Sequence, residues 1–116
     1  MKIKIILMIT VLLTVIFLIG CKKEPSDLNT FTDCLTENGA KLFGASWCPH
    51  CQQQKDLFGD SFKNLDYTEC TEQQQKCSEE AITGLPTWKF ADGSIAMGTQ
   101  ELAQLAKKTG CSLYYT

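Results

Sequence analysis

The chain has 116 residues, room for one domain, and carries 11 lysines, no arginine and 13 acidic side chains. With residues 1–20 set aside, Lys2 and Lys4 go and 9 lysines face 13 acidic groups, a net charge of −4. An acidic domain without arginine, the usual residue for phosphate and base-edge contacts, argues against nucleic acid as a partner.

Met1-Lys2-Ile3-Lys4 is a short basic head, and Ile5 to Ile19 is apolar except for Thr10 and Thr14. A spanning helix needs about twenty residues, so this run suits the apolar region of a secretory signal better. It ends in Leu18-Ile19-Gly20-Cys21, which resembles the lipobox of bacterial lipoproteins. That resemblance implies cleavage before Cys21 and a lipid on its sulfur. An uncleaved N-terminal anchor flanked by Lys22 and Lys23 is the second reading, and plain cleaved secretion the third. All three place the domain outside the cytoplasm. Residues 1–20 are thus expected to be signal or anchor, 21–27 a charged tether, and 28–116 the domain.

Leu28, Phe31 and Leu35 sit at helical spacing, and Asn38-Gly39 stops that helix. Ala40 to Ala45 reads as a strand leading straight into Trp47 and Cys48. Pro49 fits the first turn of the next helix, where its missing N–H costs nothing. That helix carries Gln52 to Phe58 and breaks near Gly59. Asn64 to Glu69 reads as a second strand with Leu65 and Tyr67 on one face. Residues 71–82 are polar and helix-compatible. Leu85 to Ala91 is a third strand, Asp92-Gly93 a hairpin turn, and Ser94 to Met97 the return strand. Thr99 is the expected cap of a last helix through Lys108, with Leu102 and Leu105 inward and Gly110 at its end. The order implies a mixed α/β sheet flanked by helices, with a dithiol at a strand-to-helix junction.

That dithiol is Cys48-Pro49-His50-Cys51. Thiol–disulfide exchange needs one sulfur that attacks as thiolate and a second that resolves the mixed disulfide. Free N–H groups and the positive end of a helix favour thiolate at its first residue. Cys48 is therefore the expected nucleophile. Cys51, one turn further in, is the expected resolving thiol. Pro49 and His50 tune the pair, His50 by donating to or attracting the Cys48 thiolate. A CxxC can also hold zinc, but zinc needs two more ligands. His50 is the one histidine, and Cys70 and Cys77 lack a zinc-knuckle spacing, so neither metal nor other cofactor is expected. Six cysteines follow Cys21, the dithiol included, an even number that suits disulfides in a small exported domain. Cys70 and Cys77 either close a short loop or act as an auxiliary redox pair. Cys34 and Cys111 either pair or stay as small buried thiols. Pro86 opens a strand, which an ordinary trans proline also does at a sheet edge.

Ala40 to Cys51 and Ile82 to Phe90 resemble the two active-site segments of the thioredoxin family. The resemblance implies a thioredoxin-like fold, a cis peptide before Pro86 opposite the dithiol, and substrate contact through Leu85, Pro86 and Trp47. In that layout the first and last helices cover opposite faces, so pairing Cys34 with Cys111 requires the C-terminal tail to wrap around. The Pro-His pair resembles that of the strongly oxidising Dsb-type enzymes. Gly39 to Ala45, the Trp-Cys-Pro-His-Cys run, the Cys70 and Cys77 pair and Leu85-Pro86-Thr87-Trp88 together are similar to the thioredoxin-like domain attached to bacterial vitamin K epoxide reductase homologues. That similarity covers roughly residues 30–111 and implies a membrane quinone reductase as partner, with the domain here as a separate polypeptide. One position departs from thioredoxin: Leu42 stands where thioredoxin has a buried aspartate. The expected function is that of an extracytoplasmic thiol–disulfide oxidoreductase acting on exported protein thiols, oxidase rather than reductase. The alternatives are a reductase of the same fold and a non-catalytic module that binds metal or peptide.

Overall fold

The computed structural model describes residues 1–17 and 28–113. The lipobox residues Leu18 to Cys21 and the expected tether lie outside the described residues. Helix α1, Lys2–Phe17, is a 16-residue apolar helix. Among the described residues no helix is long and apolar enough to cross a membrane.

Helix α2, Asn29–Glu37, turns Phe31, Thr32 and Leu35 inward, the spacing of one helical face. It stops because Gly39 takes φ +79°, a left-handed conformation that side chains resist, and a Cβ there would press on the Ala91 Cβ at 3.0 Å. Strand β1, Lys41–Gly44, follows, and then α3, Pro49–Phe58. A 3₁₀ turn, Gly59–Asn64, leads to β2, Tyr67–Glu69, and to a short α4, Gln74–Glu79. Strands β3, Thr87–Lys89, and β4, Ile95–Met97, flank the Asp92-Gly93 turn, and α5, Leu102–Thr109, ends at left-handed Gly110.

Among the described residues the four strands run in the order β2-β1-β3-β4. β1 is parallel to β2 and antiparallel to β3, and β3 is antiparallel to β4. The β1–α3–β2 crossover is what lets the first pair run parallel. In topology this is a thioredoxin-like α/β fold. Leu42 stands opposite Trp88, which stands opposite Ala96, so all three share one face. On that face lies the core of Phe31, Leu35, Leu42, Phe58, Leu65, Trp88, Leu102 and Leu105. Phe58 packs against Phe31 at 6.4 Å and Trp88 at 6.1 Å between ring centroids.

The structure corrects three expectations. The second strand is shorter at its start: Asn64 is tied to α2 instead of to a ladder. Its side chain donates to Asn29 Oδ1 at 2.7 Å and its carbonyl accepts from Thr36 Oγ1 at 3.0 Å. Thr99 does not cap α5. The cap is Glu101, whose amide donates to Gln104 Oε1 at 3.1 Å, while the Thr99 hydroxyl donates to the His50 carbonyl at 3.1 Å. The first and last helices do not lie on opposite faces. Phe31 stacks on Phe58 of α3, which brings α2 into the same core as α5. Cys34 and Cys111 then meet directly as a disulfide, Cα atoms 5.9 Å apart, without a wrapping tail. Cys70 and Cys77 are also joined, closing the loop around α4.

Candidate active site

Strand β1 ends at Gly44, and the Ala45-Ser46-Trp47 turn delivers Cys48 to the start of α3 in extended conformation, φ −86° and ψ 117°. Cys48 is the N-cap residue. Its sulfur accepts from the Cys51 amide at 3.4 Å, the bond that a serine or aspartate oxygen makes at other helix starts. Pro49 follows at the first helical position, where φ near −65° is already helical and no N–H is wasted. Among the described residues Cys48 and Cys51 are the cysteines outside disulfides. Both are buried, 5% and 2% exposed, whereas Trp47 beside them is 71% exposed.

The second segment arrives from the loop before β3. The Leu85–Pro86 peptide is cis. The Cys48 thiol donates to the Leu85 carbonyl at 3.7 Å, so the structure brings Cys48, Cys51, Leu85 and Pro86 together. A groove of about 310 Å³ runs beside them, lined by Trp47, Cys48, Ile82, Leu85 and both Cys70 and Cys77. The Cys70–Cys77 disulfide therefore forms one wall of the approach to the dithiol. Its position comes from the Cys70 amide, which continues the β2 ladder by donating to the Gly44 carbonyl at 2.8 Å.

His50 behaves differently from expectation. Its ring is exposed and its Nδ1 lies 3.1 Å from Gln53 Oε1, one turn along the helix and not at Cys48. Burial, reinforced by the hydrogen bond with Cys48, pushes the Cys51 thiol up to about 11. At neutral pH Cys51 is a thiol that must shed a proton before it attacks.

Two groups near the dithiol escape a reading by motif. Gln54 is fully buried. Its Oε1 accepts from Trp88 Nε1 at 3.0 Å and from the Gln100 amide at 2.7 Å, and its Nε2 donates to the Gln100 carbonyl at 3.0 Å. It fastens α3 to β3 two residues beyond Pro86. The signal was present in its spacing, since Cys51, Gln54 and Phe58 follow one helical stripe. The other group is Tyr67 with Glu69 on β2. The Tyr67 hydroxyl donates to Glu69 Oε2 at 2.8 Å. Burial and then the Glu69 partner push Tyr67 well above the ordinary phenol range. Partial burial opposes the charge on Glu69, but hydrogen bonds from Thr71, Tyr67 and the Ser46 amide outweigh it and hold the carboxyl below its usual range. Among the described residues no group of three or more His, Cys, Asp or Glu side chains is placed to hold a metal ion.

No family model matches the chain. It is similar to the thiol-disulfide oxidoreductase LTO1 of Arabidopsis thaliana, 43% identical over 88 residues that make up 68% of this chain. Those residues are 23% of that protein, so the chain spans about a quarter of the length of the curated relative it matches. Among solved structures, oxidised mitochondrial thioredoxin 3 of Saccharomyces cerevisiae overlaps 74% of this chain and 91% of its own, with a TM-score of 0.47 and 18% identity.

Proposed function

We propose that this chain is an extracytoplasmic thiol–disulfide oxidoreductase that oxidises the thiols of exported proteins through Cys48 and Cys51. The observation that carries the reading is the Cys48 sulfur capping α3 beside the Leu85 carbonyl, with a second free thiol one turn behind it. In the oxidising direction the pair begins as a disulfide. A substrate thiolate attacks Cys48 Sγ, the bond to Cys51 breaks, and Cys51 takes the electron pair. A second substrate thiolate then attacks its partner sulfur in the mixed disulfide. The substrate leaves as a disulfide and the dithiol is left reduced. Leu85 and Pro86 hold the incoming chain by backbone contact, and exposed Trp47 offers it an apolar surface.

The Pro49-His50 pair and the absence of a carboxylate at Leu42 support the oxidase direction over the reductase one. The apolar N-terminal segment and Cys21 support attachment to a membrane, through lipid on Cys21 or through the segment itself. Similarity of residues 30–111 to the domain attached to bacterial vitamin K epoxide reductase homologues supports a membrane quinone reductase as the partner that reoxidises the dithiol. Redox titration of the protein tests the direction. The reading expects a potential well above thioredoxin's, about −270 mV. A value at or below that makes the protein a reductase.

A further inference from the structure

Resolution of a mixed disulfide by Cys51 requires the thiol to lose a proton, and Cys51 is 2% exposed. The groups that face it come from three elements. On its own helix they are Cys48 and, one turn later, Lys55. From β1 and the turn after it come Gly44 and the Ala45 backbone, which carry no titratable side chain. From β2 comes Tyr67, with Glu69 behind it.

Gly44 is what joins β2 to the dithiol. A Cβ placed there would stand 3.0 Å from the Tyr67 hydroxyl oxygen and 3.3 Å from Cys51 Sγ. With glycine at that point, the phenol oxygen and the sulfur border the same open space, near enough for one water to link them. The hydroxyl already donates to Glu69 Oε2 at 2.8 Å, which leaves its oxygen lone pairs free to accept a proton. The other carboxylate oxygen is pinned by Thr71 Oγ1 at 2.6 Å and by the Ser46 amide at 3.1 Å. Glu69 is half-exposed and exchanges protons with solvent. Lys55 lies over the Tyr67 ring, Nζ 4.7 Å from its centroid, and helps hold the phenol in place.

From this arrangement we propose that Tyr67 and Glu69 are the proton path of Cys51, carrying its proton to solvent when it attacks and returning one when it leaves. The proposal rests on Cys51 being the resolving thiol. In resolution the Cys51 sulfur attacks Cys48 Sγ and a new S–S bond forms. The bond from Cys48 to the substrate sulfur breaks, and the substrate departs as thiolate with the electron pair. The Cys51 proton passes to the Tyr67 oxygen as the Tyr67 proton passes to Glu69, which then loses it to water. In the oxidising direction Cys51 departs as thiolate and Tyr67 turns its O–H onto that sulfur.

The test is a single turnover of the full-length reduced protein with oxidised glutathione, quenched with acid and read by mass spectrometry. Cys48 first gains glutathione, and Cys51 then expels it. For Tyr67→Phe, which keeps the ring and its packing on Phe62, resolution is expected to slow about tenfold or more at pH 7. Formation of the Cys48 adduct is expected to stay at the wild-type rate. The deficit should shrink as pH rises toward 11, where Cys51 ionises without help. Glu69→Gln should show the same pattern with a smaller loss. Resolution at wild-type speed in Tyr67→Phe, or a loss equal at every pH, overturns the path. If no glutathione adduct ever forms on Cys48, the parent reading falls and the path with it.

Discussion

Gln54→Leu removes one polar side chain of nearly the same size, and the structure says what is left behind. Trp88 is fully buried, and its Nε1 loses the Gln54 Oε1 acceptor. An orphaned buried donor costs about 1–3 kcal/mol. The Gln100 amide and carbonyl also lose partners, but Gln100 is half-exposed and water recovers part of that cost. Leucine returns some apolar burial. The net loss is expected to be about 2–3 kcal/mol, a fall in melting temperature of roughly 8–24 °C for a domain of this size. Urea unfolding followed by Trp88 and Trp47 fluorescence measures it. Gln53→Leu is the control, since Gln53 is exposed and its replacement should stay within about 0.5 kcal/mol. If the two variants unfold at the same midpoint, or Gln54→Leu costs less than about 1 kcal/mol, the buried amide is not what holds α3 to β3.

The disulfides should differ in worth because they close loops of different length. Cys34–Cys111 spans 77 residues and Cys70–Cys77 spans 7. Loop-closure entropy then gives about 4 kcal/mol for the first and about 2 kcal/mol for the second. Paired serine variants compared by urea unfolding check the order, and a larger loss for the short loop contradicts it. The reduced protein should weaken in alkali. Cys51 rises from 9.0 to about 11 on folding, so its contribution is whole below pH 9 and is lost as pH climbs through 11. That loss is on the order of 2 kcal/mol. Tyr67, also raised, acts with the same sign. Cys51→Ala should flatten the decline between pH 9 and 11, and an unchanged slope removes Cys51 as its source.

The dithiol, the helix it starts and the hairpin turn were legible because each has a local cause: a proline, a glycine, a cap. The cis peptide before Pro86 was expected from the resemblance to thioredoxins, not from the residues around it. Gln54, Tyr67 and Glu69 were not legible, because their roles arise across the sheet. The helical stripe it shares with Cys51 and Phe58 marks Gln54 as inward-facing, but its partner appears only when β3 places Trp88 beside it. Tyr67 reads as an ordinary strand residue until parallel pairing sets it beside β1 and Gly44 opens the way to Cys51. The Cys34–Cys111 bond stayed undecided for the same reason. Only the Phe31–Phe58 stack tells which face α2 covers.

The division of labour between Cys48 and Cys51 is tested most directly by trapping. Full-length Cys51→Ala and Cys48→Ala proteins are each exposed to a disulfide-bearing protein, alkylated under acid quench, and mapped by mass spectrometry. The account predicts a stable mixed disulfide through Cys48 in the first variant and little or none through Cys51 in the second. Adducts that form through Cys51 as readily as through Cys48, or no adduct on Cys48, contradict it.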